Sequence, residues 1–91
     1  MRHFIVERFV PGASGADVQA WAEALDASIR TLGLGADICY LGSEFVTRDE
    51  TCLCFFDAAS DELVRVVNDH AGVPYERVLL GEAVHKAKKG E

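Results

Sequence analysis

Residues 36–57, ADICYLGSEFVTRDETCLCFFD, decide the fold because they contain two strands joined by a short polar turn. Branched and aromatic residues predict strands over 36–47 and 51–57, with the turn at residues 48–50 between them. Two strands this close along the chain are expected to form an antiparallel hairpin. Gly42, in the middle of the first strand, predicts a β-bulge or a close approach of another backbone.

A strand and a helix precede this hairpin. The segment HFIVERFV at 3–10 predicts the strand. An apolar stripe at helical spacing predicts the helix over about 15–32, with Ser14 as its N-cap and Gly33 just beyond its C-terminus. The stripe consists of Val18, Trp21, Ala22, Leu25, Ile29 and Leu32.

A second helix and a last strand follow the hairpin. Ser60 is the predicted N-cap of this helix, and Gly72 and Pro74 end it. The segment RVLLGEAV at 77–84 predicts the last strand. The order β-α-β-β-α-β is that of the ferredoxin-like α+β fold, a four-stranded antiparallel sheet with two helices on one face.

Length and charge exclude several classes of protein. Ninety-one residues accommodate one core, so we expect a single domain over 1–85 and a disordered basic tail at 86–91. Nine basic residues against fifteen acidic ones give a net charge of −6, which argues against a nucleic-acid partner. No apolar run approaches the roughly 20 residues that a bilayer requires, and no signal-peptide pattern is present, so a cytoplasmic protein is expected without a membrane partner.

The sheet face away from the helices is predicted to be too apolar for water. The residues expected there are His3, Ile5, Phe9, Cys52, Cys54 and Phe56. A second copy of the chain would cover them, so the sequence predicts a two-fold homodimer formed through this open face. The space between the two sheets is then the expected binding pocket.

Three residues are predicted to line that pocket. Tyr40 and Glu44 are an even number of positions apart on one strand, which places them on the same face, and Phe56 is expected beside them. A carboxyl group under an apolar roof has a raised pKa, so Glu44 is either a base or a solvated carboxylate on an edge strand. Cys39 is expected to behave as a small buried hydrophobic residue.

Three segments carry a resemblance to a known family. They are FIVER at 4–8, LCFFDAASDEL at 53–63 and HAGVPYERV at 70–78. With them, the chain resembles a group of small bacterial nickel-responsive, nickel-binding proteins over about residues 3–84. The resemblance implies a dimeric ferredoxin-like fold, described as a dimeric α/β barrel. It also implies nickel or another divalent transition metal as cofactor, whereas it implies no organic cofactor.

The same resemblance suggests metal ligands. Cys54 stands at the family's strand-three cysteine, followed by Asp57 as its acidic residue, and Glu7 stands where some members have a strand-one histidine. Val67 occupies the position of a helix-two histidine, and His70 lies one turn further along as its expected substitute. The predicted metal ligands are therefore Glu7, Cys54 and His70.

Each ligand also has a simpler interpretation. Glu7 and Cys54 are either a ligand pair or a neutral thiol near a solvated carboxylate, because a thiolate and a carboxylate repel without a cation. His70, at the end of the second helix, also suits the negative end of the helix dipole.

Three functions remain open on the sequence alone. The first is a non-catalytic dimer that holds a transition metal or small ligand between its sheets. The alternative is a small dimeric α/β-barrel enzyme, of the monooxygenase or isomerase type, acting on an apolar ligand. The third is a structural or regulatory dimer without a ligand. The resemblance to the nickel-binding family favours the first.

Overall fold

The computed structural model describes residues 1–82 and residue 84, and it has the predicted order of elements. The strands are β1 (Arg2–Phe9), β2 (Ile38–Val46), β3 (Thr51–Ala58) and β4 (Arg77–Gly81). The helices are α1 (Gly15–Thr31) and α2 (Asp61–Ala71). The tail predicted at 86–91 lies outside the described residues.

The four strands form one antiparallel sheet in the order β2-β3-β1-β4. Both helices pack on the same face of the sheet and on each other, and the core lies between these two layers. This arrangement confirms the predicted ferredoxin-like α+β fold. The other face of the sheet, which we call the open face, has no helix on it.

Local signals in the sequence set the ends of both helices, as predicted. Ser14 forms a capping box with Asp17, and Ser60 Oγ accepts a hydrogen bond from the Leu63 amide. Gly72 ends α2 with a φ of +70°, the left-handed conformation that glycine adopts without strain. Of the described residues, no helix is both long and apolar enough to span a membrane.

The pairing of β1 with β3 corrects the predicted composition of the open face. Phe56 is the register partner of Phe4, and Cys54 that of Val6, and all four side chains are buried beneath the helices. Cys52 is buried on this core face as well. The prediction that Cys52, Cys54 and Phe56 lie on the open face is therefore wrong. Strand β3 carries apolar residues at both parities, so alternation alone did not show which set faces the core.

The predicted bulge at Gly42 is present. The register between β2 and β3 shifts between Tyr40 and Gly42, and Gly42 has a φ of +132°. The extra residue reverses the alternation of side chains along β2. Tyr40 therefore faces the core beside Phe56, whereas Glu44 faces outward opposite Leu53. The prediction that Tyr40 and Glu44 share a face is wrong for this reason.

Candidate functional site

The open face consists of rows of side chains that cross the strands. Each row follows from the pairing register. The end row contains Cys39, Asp57, His3 and Gly81; the next contains Gly42, Phe55, Ile5 and Leu79; the third contains Glu44, Leu53, Glu7 and Arg77. The row through Phe55 and Ile5 is thus apolar, and the rows on either side of it are mainly polar. A fourth row, Val46, Thr51 and Phe9, lies beyond the third.

His3 and Asp57 form a pair of potential metal donors in the end row. His3 Nδ1 lies 3.0 Å from Asp57 Oδ1. The imidazole stacks on Phe55, with ring centroids 6.2 Å apart and planes 8° from parallel. A Cβ at Gly81 would lie 3.1 Å from His3 Cδ2, so the glycine leaves room for the ring. These contacts orient the imidazole and use only Nδ1, which leaves Nε2 for a ligand.

The structure does not bring the three predicted metal ligands together within a protomer. Glu7 lies on the open face and accepts hydrogen bonds of 3.0 and 2.8 Å from Arg77. Cys54 lies on the core face, so the expectation that Glu7 and Cys54 point the same way is wrong. His70 lies on α2, where its Nδ1 is 2.9 Å from Ser28 Oγ on α1.

The predicted pocket residues are also divided between the two faces. Tyr40 and Phe56 contact each other on the core face, with ring centroids 5.3 Å apart. Glu44 is exposed on the open face. Cys39, which was expected to be buried, is exposed at the end row of the open face because it pairs with Asp57.

Among residues 1–82 and 84, no group of three or more His, Cys, Asp or Glu side chains lies close enough together to hold a metal ion. The His3–Asp57 pair therefore contributes at most two donors, and further donors would have to come from outside the protomer.

The core face holds a second polar cluster, centred on Arg8. This side chain is only 1% exposed. It donates hydrogen bonds to the Pro74 carbonyl (3.1 Å), to Asn68 Oδ1 (2.8 Å) and to Cys54 Sγ (3.1 Å). Within the part of the chain that the structure describes, no carboxylate forms a salt bridge with Arg8. Of the three groups in the described chain that accept hydrogen bonds from Arg8, the Cys54 thiol is the one that can ionise, so a Cys54 thiolate would balance this buried charge.

The surroundings of Cys54 favour that thiolate. Its Sγ lies 3.9 Å from Cys52 Sγ and 2.8 Å from Ser43 Oγ. The hydrogen bond from Cys52 lowers the pKa of Cys54, and the Arg8 charge and Ser43 lower it further against the effect of burial. The hydrogen bond to Cys54, together with burial, raises the pKa of Cys52, so Cys52 keeps its proton.

This cluster approaches the surface through β2. Ser43 also forms a hydrogen bond with the Tyr40 hydroxyl, and burial raises the pKa of Tyr40 so that this hydroxyl remains protonated. Both residues line a groove of about 340 Å³ between α1 and β2. Its other lining residues are Gly15, Val18, Gln19, Ala22, Gly42 and Phe45.

Sequence reasoning missed Arg8, Ser43 and Asn68. One available signal was the phase of Arg8, which lies at the same parity as the core residues Phe4 and Val6. A charged residue in phase with a buried stripe is a candidate for a buried ionic role. Neither Ser43 nor Asn68 had a comparable signal.

Comparison with known proteins agrees with this fold. The family described as "Nickel responsive protein SCO4226-like" matches residues 4–80. The crystal structure of SCO4226 from Streptomyces coelicolor A3(2) superposes with a TM-score of 0.72, covering 93% of this chain and 99% of that one at 17% identity. No curated protein matches the sequence. Because the family match extends over most of the chain, this protein belongs to the SCO4226-like nickel-responsive family.

Proposed function

We propose that this protein is a homodimer that binds a transition metal, with nickel as the expected ion, between two open faces. The observation that carries the proposal is the hydrogen bond between His3 and Asp57. An imidazole held by a carboxylate through one nitrogen is the usual arrangement of a metal-binding histidine. Nickel(II) favours imidazole donors, and the family description names nickel responsiveness.

The open face gives a reason for two copies of the chain to associate. Ile5, Leu53, Phe55 and Leu79 are partly exposed there, and Phe9 is 57% exposed. Apolar area of this kind is stabilised when a second sheet covers it. A two-fold axis would place the same surface of each protomer against the other.

Dimerisation would also add donors to the site. One protomer offers His3 Nε2, because Asp57 holds the other ring nitrogen, and a two-fold partner offers a second imidazole. Imidazole donors suit nickel(II) and copper(II). Glu7 is a poorer ligand, because Arg77 already occupies its carboxylate.

The enzyme alternative has less support. An enzyme of this type would need a pocket lined by Tyr40, Glu44 and Phe56. In the structure these residues lie on two different faces of the sheet. The binding function depends only on residues that share the open face.

The test is nickel titration of metal-free protein, followed by calorimetry and by the thermal unfolding midpoint. Nickel at 100 times its dissociation constant should stabilise the wild type by about 2.7 kcal/mol. His3→Ala should abolish this stabilisation, and His70→Ala, which alters an exposed histidine on α2, should retain it. Equal nickel binding by His3→Ala and the wild type would disprove the proposed site.

A further inference from the structure

The metal site proposed above uses none of the three cysteines, and two of them lie close together in the core. Cys52 and Cys54 occupy the core face, on the opposite side of the sheet from His3. Their sulfur atoms lie 3.9 Å apart. No disulfide joins them, and both are free thiols. This pair therefore needs an explanation of its own.

The contacts of Cys54, although not its burial, are those of a reactive cysteine. Reactive cysteines lie beside a cation and hydrogen-bond donors and are partly exposed, whereas inert ones are buried. Cys54 is only 1% exposed, so an oxidant has to reach it through a local opening of the structure. Cys54 has the Arg8 guanidinium at 3.1 Å and the Ser43 hydroxyl at 2.8 Å. These contacts favour the thiolate, which is the nucleophilic form of the sulfur.

A short path leads from this sulfur to solvent. Ser43 contacts Cys54 on one side and lines the groove between α1 and β2 on the other. Strand β2 is at the edge of the sheet, and its bulge at Gly42 is next to Ser43. Edge strands and bulges open locally more readily than the centre of a sheet. A small uncharged molecule in the groove therefore has only the Ser43 side chain between it and the Cys54 sulfur.

We infer that Cys54 is a site of oxidation by hydrogen peroxide and that Cys52 resolves the product as a disulfide. In the first step, the Cys54 sulfur attacks one peroxide oxygen, the O–O bond breaks, and the other oxygen leaves and is protonated to water. Cys54 is then a sulfenic acid. In the second step, the Cys52 sulfur attacks Cys54, the S–O bond breaks and a second water leaves. The two thiols together lose two electrons and two protons, which reduce the peroxide to water.

The geometry indicates that this disulfide is reversible. Same-face neighbours on a strand have Cα atoms roughly 6.6 Å apart, at the upper end of the range that a disulfide spans. The bond would therefore be strained and easily reduced by a thiol. Its formation also removes the thiolate that balances Arg8, so the oxidised protein should unfold at a lower temperature than the reduced protein.

The sequence allows a direct test by peptide mass. Trypsin cleaves after Arg30, Arg48 and Arg65, which places Cys39 in peptide 31–48 and the thiol pair in peptide 49–65. After hydrogen peroxide treatment of metal-free folded protein, peptide 49–65 should lose the mass of two hydrogens and resist alkylation. Dithiothreitol should restore both thiols. Peptide 31–48 serves as the internal reference.

Two variants identify the role of each sulfur. Cys52→Ser should trap the sulfenic acid, so that peptide 49–65 gains one oxygen and reacts with dimedone. Cys54→Ser should give neither product. Circular dichroism confirms that each variant is folded. Oxidation confined to Cys39 would overturn the inference, as would dimedone labelling of peptide 49–65 that persists in Cys54→Ser. A wild-type peptide 49–65 that keeps both thiols would overturn it as well.

Discussion

Arg8 shows how one residue can have a role that its type does not suggest. The guanidinium lies in the core because its strand position is in phase with Phe4 and Val6, and the fold provides it with three acceptors. A buried charge is tolerated only when it is paired and hydrogen-bonded. Here the one partner that can carry the opposite charge is a cysteine, and the guanidinium favours the Cys54 thiolate over the thiol.

Removal of Arg8 should therefore be costly. Arg8→Met keeps much of the side-chain volume but leaves Asn68 and the Pro74 carbonyl without their donor. We expect a loss of about 3–5 kcal/mol in the free energy of unfolding, measured with urea. Arg65→Met, which removes an exposed pair with Asp61, should cost less than about 0.5 kcal/mol. A similar cost for both variants would contradict the buried ionic role of Arg8.

A Cys54 thiolate in the folded protein predicts how the free energy of unfolding changes with pH. Folding lowers the pKa of Cys54 from 9.0 to about 6, so the unfolded chain binds more protons between these values. The contribution of Cys54 to stability therefore grows as pH rises through this window and is lost as pH falls towards the lower value. Above the ordinary thiol pKa the trend reverses, because folding raises the pKa of Cys52.

This dependence is measured as a difference between two proteins. The gap in unfolding free energy between the wild type and Cys54→Ser should widen from about pH 6 to about pH 8. The subtraction removes the carboxylates and histidines that both proteins share. A gap that stays constant over this range would mean that Cys54 is a neutral thiol in the folded protein.

At the scale of elements, the sequence correctly predicted which helices and strands form and in what order. It did not predict which face of the sheet each strand side chain lies on. The caps at Ser14, Ser60 and Gly72 depend on local geometry, which is why they could be read directly. Which face of β3 is buried depends instead on its pairing with β1. Cys54 and Phe55 are both apolar neighbours with opposite orientations, so the sequence contained no local signal to separate them.

The bulge in β2 determines which residues reach the cluster around Cys54. Gly42 has a φ of +132°, and a Cβ there would meet nothing within 4 Å, so a substitution costs backbone strain alone. Gly42→Ala should lower the free energy of unfolding by about 1–3 kcal/mol in urea denaturation. Gly35→Ala adds a methyl group where there is equal space and no positive φ, and should change stability little. Equal effects of the two substitutions would contradict the strain argument.

At the scale of the whole molecule, the order of six elements was sufficient to predict the topology, and the structure confirms it. Neither the predicted metal ligands nor the predicted pocket residues come together in the structure, because both predictions depended on side-chain orientation. Their assembly required the parity of β3 and the bulge in β2, which only tertiary pairing sets. The open face is still apolar, but strand β3 contributes Leu53 and Phe55 to it instead of Cys52, Cys54 and Phe56.

Association through the open face should be sensitive to charge at its centre. Ile5→Glu places a carboxylate in the apolar row and should convert a dimer into folded monomers, because an unpaired charge is costly at a covered interface. Val66→Glu changes an exposed apolar residue on α2, 42% exposed, and should leave the mass unchanged. Loss of dimers in both variants, or in neither, would contradict association through the sheet.

The mass of the metal-free wild type in solution tests the central claim most directly. Light scattering coupled to size-exclusion chromatography at micromolar concentration should give twice the 9.9 kDa of the chain. A mass of 9.9 kDa would contradict the account, because the open face would then be exposed to water and the metal site would lack the partner's imidazole.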